Sequence, residues 1–183
     1  MNKRLTIFKN LLLVLIVALC SGCVKDVDLS QAQDIVLSPD LQTNLVLYQV
    51  DKSDFVDPET NQMRTVIRDT VRLEFLDDDY VQNDLESAEF YFRNINTFPQ
   101  VFSNKVYFLS ASGRKQFSIN YLVSPGSEDN PVTTERVEVM GEERIAQVKN
   151  SIFMVVELEV QPNQEDFKGD LEFASKGLFK FEF

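Results

Sequence analysis

Side chains able to do covalent or acid–base chemistry are few in this sequence. Its 183 residues include no histidine and two cysteines, Cys20 and Cys23. Without imidazole there is no Ser-His-Asp triad, no HExxH zinc site and no general base that titrates near neutrality. Gly113, Gly126, Gly141, Gly169 and Gly177 stand singly, so neither a GxGxxG turn nor a Walker loop cradles phosphate. Carboxylates, by contrast, are abundant, with 29 acidic residues against 18 basic ones. Two acids roughly 5 to 9 Å apart suffice for glycoside hydrolysis, yet nothing in the sequence selects a pair, and the aromatic platforms of a sugar cleft are not evident. Hard oxygen ligands gathered in a loop suit calcium. The positions to consider are Asp77, Asp78 and Asp79 in a row, and a second loop holding Asp51, Asp54, Asp57 and Glu59. Neither has EF-hand spacing, and solvated turns that keep a sheet protein soluble account for both. The expectation is a non-enzyme without cofactor, whose only metal candidates are Asp77, Asp78 and Asp79.

The N-terminus carries a different chemistry. Residues 1 to 22 contain Lys3, Arg4 and Lys9 and no acid, with an unbroken apolar run from Leu11 to Leu19 followed by Cys20-Ser21-Gly22. A basic region, an apolar region and a small-residue cleavage region in that order form a secretory signal. The run is half of the ~20 residues a spanning helix needs, so it reads as a removed signal. Ser21-Gly22-Cys23 resembles the lipobox of bacterial lipoproteins, in which small residues before a Cys allow its thiol to be diacylated before cleavage. Cys23 is then the lipidation site. The sequence departs from that pattern at Cys20, where the family carries Leu or a similar aliphatic. Cys20 as anchor would put the bulky Leu19 where the family accepts Gly, Ala or Ser; the plainer alternative is ordinary cleavage that leaves a free cysteine. The resemblance covers the first 23 residues and implies a lipoprotein held by acyl chains such as palmitate, since two or three chains anchor far more firmly than one. Val24 stands where enteric inner-membrane lipoproteins have Asp, and Lys25-Asp26-Val27-Asp28 is similar to short acidic segments that direct lipoproteins to the cell surface. The implied location is the outer membrane, on its surface or periplasmic face. Loss of residues 1 to 22 leaves 15 basic and 29 acidic residues, a net charge of −14 on 161 residues. So acidic a protein is a poor partner for nucleic acid or anionic headgroups.

The body behind this anchor reads as β-structure. Residues 23 to 40 are polar without a sustained period and suit a flexible tether; the folded domain is expected over 41 to 183. Within it, Val71, Leu73 and Phe75 alternate with Arg72 and Glu74; Phe117, Ile119, Tyr121 and Val123 with Ser118 and Asn120; and Val156, Leu158 and Val160 with Glu157 and Glu159. Period two marks strands with one wet face. Further strands are expected at Leu45 to Val50, Ala88 to Ile95, Lys105 to Ser110 and Val132 to Val139, with a closing pair at Leu171 to Ser175 and Leu178 to Phe183. Turn signals separate them at Ala111 to Arg114, Ser124 to Pro131, Gln161 to Asn163 and Lys168 to Asp170. Residues 142 to 150 lack alternation and set Ile145 and Val148 three apart, which predicts a short helix. Eight or nine short strands imply an all-β fold, an antiparallel β-sandwich, immunoglobulin-like or similar. Phe90, Tyr91 and Phe92 are consecutive and must face both sides of a strand, as must Tyr107 and Phe108. The ending Phe179, Phe181, Phe183 resembles the last strand of outer-membrane barrels, but the charged outer faces of the other strands leave no lipid-facing band.

From these features the expected function is non-catalytic: a lipid-anchored envelope protein acting as a binding or accessory module of an outer-membrane or cell-surface assembly, with an envelope protein as partner. The alternatives are a carrier of an apolar ligand inside a Phe-rich barrel and a surface glycan-binding lipoprotein.

Overall fold

The computed structural model describes residues 38–183. The signal segment, Cys23 and all of the expected tether up to residue 37 lie outside the described residues. The described chain has eight strands: β1 (Asp40–Asp51), β2 (Val66–Arg72), β3 (Leu85–Asn96), β4 (Val101–Leu109), β5 (Lys115–Val123), β6 (Val132–Met140), β7 (Phe153–Gln161) and β8 (Asp170–Phe181). Two short α-helices, α1 (Asp79–Asp84) and α2 (Glu142–Lys149), and two 3-10 turns at Lys52–Phe55 and Glu74–Asp77 complete it. The strands form two four-stranded sheets, in the orders β1-β8-β3-β6 and β2-β7-β4-β5, and every pairing is antiparallel. The expected all-β sandwich is the fold observed. Six of the seven connections cross from one sheet to the other, and only β4 and β5 form a hairpin within a sheet.

Alternation decides which side chains meet between the sheets. From β3 the inward set is Ala88, Phe90, Phe92, Asn94 and Asn96; from β4 it is Phe102, Asn104, Val106 and Phe108. Phe55, Phe90, Phe92, Phe98, Phe102, Phe108, Phe173 and Phe179 are fully buried. Their rings are in mutual contact, for example Phe108 on Phe117 at 4.3 Å and Phe90 on Phe108 at 4.8 Å between centroids. Each such ring contributes a few kcal/mol by burial alone. The consecutive aromatics divide as expected. Tyr91 faces outward and donates to Glu135 Oε1 at 2.6 Å, while Tyr107 faces outward beneath the Arg68 guanidinium, 5.8 Å from its ring centre.

Three elements differ from expectation. The alternation at Val71, Leu73 and Phe75 does not continue a strand, because β2 ends at Arg72 and Glu74–Asp77 winds into a 3-10 turn. Leu73 N donates to Ile152 O at 2.8 Å and Leu76 N to Leu73 O at 3.1 Å, which turns the chain and buries both leucines. The closing pair is one continuous strand, β8. Gly177 is not a turn there: a Cβ on it would lie 2.4 Å from the Phe179 ring, so the missing side chain makes room for that ring. β1 begins five residues earlier than expected, and a bulge between Asn44 and Val46 lets the consecutive apolar residues Leu45 and Val46 both meet the core. Ser175 opposite supplies the missing pairing, its Oγ accepting from Val46 N at 3.0 Å.

One end of the sandwich is pinned by close backbone approach. Gly126 N donates to Phe98 O at 2.8 Å, and a Cβ on Gly126 would sit 2.0 Å from Asn96 O. Asn96 fastens the same loop, accepting from Phe98 N at 2.9 Å and donating to Ser124 O at 2.9 Å.

Candidate binding cleft

The two sides of a sandwich of this order are the edge pairs β1/β2 and β5/β6, and the sequence closes one and leaves the other open. On β6 the inward positions opposite Phe90 and Phe92 are Glu138 and Arg136. Glu138 accepts from Arg144 of α2 at 2.7 Å and from Arg136 at 3.0 Å. These guanidinium bonds hold the Glu138 carboxyl below the ordinary carboxylate value. These ion pairs link β6 to α2 across that side. Ser124 N also donates to Thr134 Oγ1 at 3.2 Å, tying the end of β5 to β6.

On the other side a cleft of about 530 Å³ opens between β1 and β2. Its walls are Tyr48 and Val50 of β1, Val66 to Asp69 of β2, and Asp54 and Arg64 from the connection between them; Val156 and Leu158 of β7 form the floor. The register explains the mixture. Ile67, Asp69 and Val71 share the inward face of β2, opposite Leu158, Val156 and Met154, so an aspartate stands where the pattern calls for an apolar residue. Tyr48 occupies the corresponding inward row of β1, its ring stacked on Phe173 at 4.9 Å. Burial, with the nearby Asp69 charge adding to it, raises the Tyr48 hydroxyl well above the usual tyrosine value, so it stays a neutral donor. Arg68 points the other way: its guanidinium is held on the outer face by Glu157 and Tyr107. Arg64 donates to Val56 O at 3.4 Å and has no carboxylate partner among the described residues.

Deeper inside lies a polar layer. Tyr121 OH donates to Asn94 Oδ1 at 2.8 Å and accepts from Asn104 Nδ2 at 2.8 Å. Both asparagines are fully buried, and Asn94 Nδ2 and Asn104 Oδ1 have no protein partner. Burial raises the Tyr121 hydroxyl, with Tyr48 contributing.

The acidic positions singled out in the sequence do not converge. Asp77 ends a 3-10 turn, Asp78 precedes α1 and Asp79 begins it, and all three are exposed. Among the described residues no three His, Cys, Asp or Glu side chains meet as a metal site. The second acidic loop serves its own turns. Asp51 accepts from Ser53 N at 2.6 Å, Asp54 from Asp51 N at 2.8 Å, and Asp57 from Glu59 N and Thr60 N at 3.0 Å each. These bonds hold the Asp51 and Asp57 carboxyls below the ordinary value. Elsewhere, interaction with the neighbouring Glu182 carboxylate, helped by Glu142, raises the Glu86 carboxyl. It lies on the surface and lines neither the cleft nor a neighbouring depression formed by Asp51, Lys52, Glu128 and Lys168. Cys23 lies outside the described residues. Tyr48, Asp69, Arg64 and the two buried asparagines were not singled out from the sequence. Their signal was present as polar residues at inward positions of otherwise apolar alternations.

No family model matches the chain, and no curated protein matches it. Among solved structures, a putative secreted protein from Parabacteroides distasonis aligns at 17% identity and a TM-score of 0.47, over 62% of this chain and 36% of that one. The infectious bursal disease virus VP2 subviral particle aligns at 7% identity and a TM-score of 0.37, over 82% and 33% of the two chains. The enzymatically active domain of bacteriophage CBA120 tailspike protein 4 aligns at 13% identity and a TM-score of 0.39, over 77% and 19%. The chain thus spans about a third or less of the length of these structures. No helix among the described residues is long and apolar enough to cross a membrane.

Proposed function

We propose that this chain is a non-catalytic envelope protein, anchored to the outer membrane through acylated Cys23, that binds a partner protein of an outer-membrane or cell-surface assembly on its β1/β2 side. The observation that carries this reading is the asymmetry of the sandwich. One side is crossed by the ion pairs of Arg136, Glu138 and Arg144, and the other opens a cleft framed by Tyr48, Asp69 and Arg64 above the buried Val156 and Leu158. A concave cleft with an apolar base and a few charged groups at its rim has the composition of a recognition site. The filled interior favours a binding module over an apolar carrier, since eight fully buried phenylalanine rings occupy the space between the sheets.

The test is purification of a C-terminally tagged full-length chain in mild detergent, beside Cys23→Ala. Wild type is expected in the outer-membrane fraction with a stoichiometric partner, and Cys23→Ala in the soluble envelope fraction. Identical fractionation of the two would refute the anchor; a wild-type chain that purifies alone would refute the partner.

A further inference from the structure

Each of the four edge strands presents backbone donors and acceptors that can pair with another strand, and folded proteins guard such edges with charge, a bulge or a covering element. Three of the four are guarded here by charge or by a tie to a neighbouring element, and the fourth, β1, has only the bulge between Asn44 and Val46. β2 carries the inward Asp69 and the charged residues Arg68 and Arg72. β6 carries inward Arg136 and Glu138, bridged to α2. β5 is tied to β6 at Ser124 and Thr134. β1 differs. It is a twelve-residue strand in which the ten residues from Leu41 to Val50 carry no charge. It pairs with β8 on one edge, and its other edge is unpaired among the described residues. Leu47 on it is 79% exposed.

The run offers up to about 34 Å of open backbone at ~3.4 Å per residue, interrupted by the bulge between Asn44 and Val46. A strand added there would send alternate side chains over the cleft, beside the half-buried Tyr48 and Ile67, and would cover the side of the sandwich that this chain leaves open. Its charge is set by its surroundings. Asp40 and Asp51 close the two ends of the uncharged run; Asp54 and Asp69 line the cleft with Arg64 and Arg68, and Arg68 is already paired with Glu157 on the outer face. A second copy of β1 running antiparallel would bring Asp40 against Asp51 at both ends, which repels. A segment with basic ends would be attracted, and attracted faster at low salt.

We propose that β1 accepts along its open edge an extended segment of a partner protein, with alternate apolar side chains over the cleft and Lys or Arg at its ends beside Asp40 and Asp51. This rests on the binding-module reading and names where and how the partner docks.

The test places a photoreactive benzoylphenylalanine at Leu47, or at Val139 on the outer face of β6 as control, in the full-length chain in its native host. Crosslinked residues are mapped and amide exchange over residues 41 to 50 is measured. The expected result is an adduct at position 47, absent at 139, to a partner segment of alternating apolar residues with basic ends, and slowed exchange across β1. A synthetic peptide of that segment should bind the detergent-solubilised chain about tenfold more weakly after Asp40→Lys, and at least as weakly after Leu47→Lys, an exposed change that leaves the fold intact. A partner that co-purifies but crosslinks only at 139, or leaves β1 exchange unchanged, overturns strand addition and keeps the binding reading. Adducts to a second copy, or to residues 24 to 37 of the same chain, also overturn it. Absence of any co-purifying partner defeats both readings.

Discussion

Asp69 is the residue at which the fold and the cleft make opposite demands, and replacing it with valine separates them. The position lies on the inward face of β2 between Ile67 and Val71, opposite Val156. Its carboxylate accepts only from the next backbone amide, Thr70 N, at 2.8 Å, a bond water can replace. Val156 and Leu158 beneath it are 3% and 1% exposed, so an apolar side chain at 69 would be roughly half covered. Half of the ~1.5 to 3 kcal/mol for complete burial gives about 1 kcal/mol. The better strand propensity of valine over aspartate adds up to about 1 kcal/mol. Asp69→Val should therefore stabilise the domain by about 1 to 2 kcal/mol, a rise in midpoint of roughly 2 to 8 °C at this size. The assay is urea and thermal unfolding of the soluble domain, with Asp69→Asn as the shape-matched control expected to gain less than half as much. The same change removes the charge that guards β2, so light scattering should show concentration-dependent association absent in wild type. A variant that melts lower than wild type would refute the reasoning, because Asp69 would then be satisfying a structural need.

Three further outcomes follow from the geometry. Tyr121→Phe removes the hydroxyl shared by Asn94 and Asn104 at 2.8 Å each and should cost about 1 to 3 kcal/mol by denaturant titration; adding Asn94→Leu and Asn104→Leu should recover at least half of that loss, because these three positions then carry no unpartnered polar side-chain atom. Gly126→Ala places a methyl 2.0 Å from Asn96 O and should cost more than about 3 kcal/mol or abolish soluble expression, whereas Gly141→Ala, where a Cβ meets nothing within 4 Å, should stay within about 0.5 kcal/mol. Burial raises the Tyr48 and Tyr121 hydroxyls above the ordinary value of 10.0, so above pH 10 the unfolded chain loses protons that the folded chain keeps. Their contribution is intact below pH 10 and is lost as pH rises from there; tyrosinate absorbance should show these two phenols ionising only as the domain unfolds.

The β-sandwich was legible because burial imposes a period of two, and the chain keeps that period with little interruption along β3, β5, β7 and β8. It was lost where tertiary contact reassigns a residue. Gly177 reads locally as a turn, yet its role is to admit the Phe179 ring. Leu73 and Phe75 alternate as a strand would, but the hydrogen bond from Leu73 N to Ile152 O bends the chain out of the sheet. The cleft was half legible by the same rule. Asp69 among Ile67 and Val71, Asn94 after Phe90 and Phe92, and Asn104 between Phe102 and Val106 each break an apolar face, and such breaks mark either a buried network or a site. Local pattern does not say which, because that depends on the strand across the sheet. Asn94 and Asn104 meet Tyr121 from another strand and become a network, while Asp69 lies on an edge that no described strand covers and faces solvent instead. Strand order, which sequence spacing did not yield, is therefore what turns one inward polar residue into part of a buried network and leaves another exposed at the cleft. The acidic residues of the second loop serve local turns: Asp51, Asp54 and Asp57 each accept from nearby backbone amides, and a group already serving its nearest amides is poorly placed to ligate anything else.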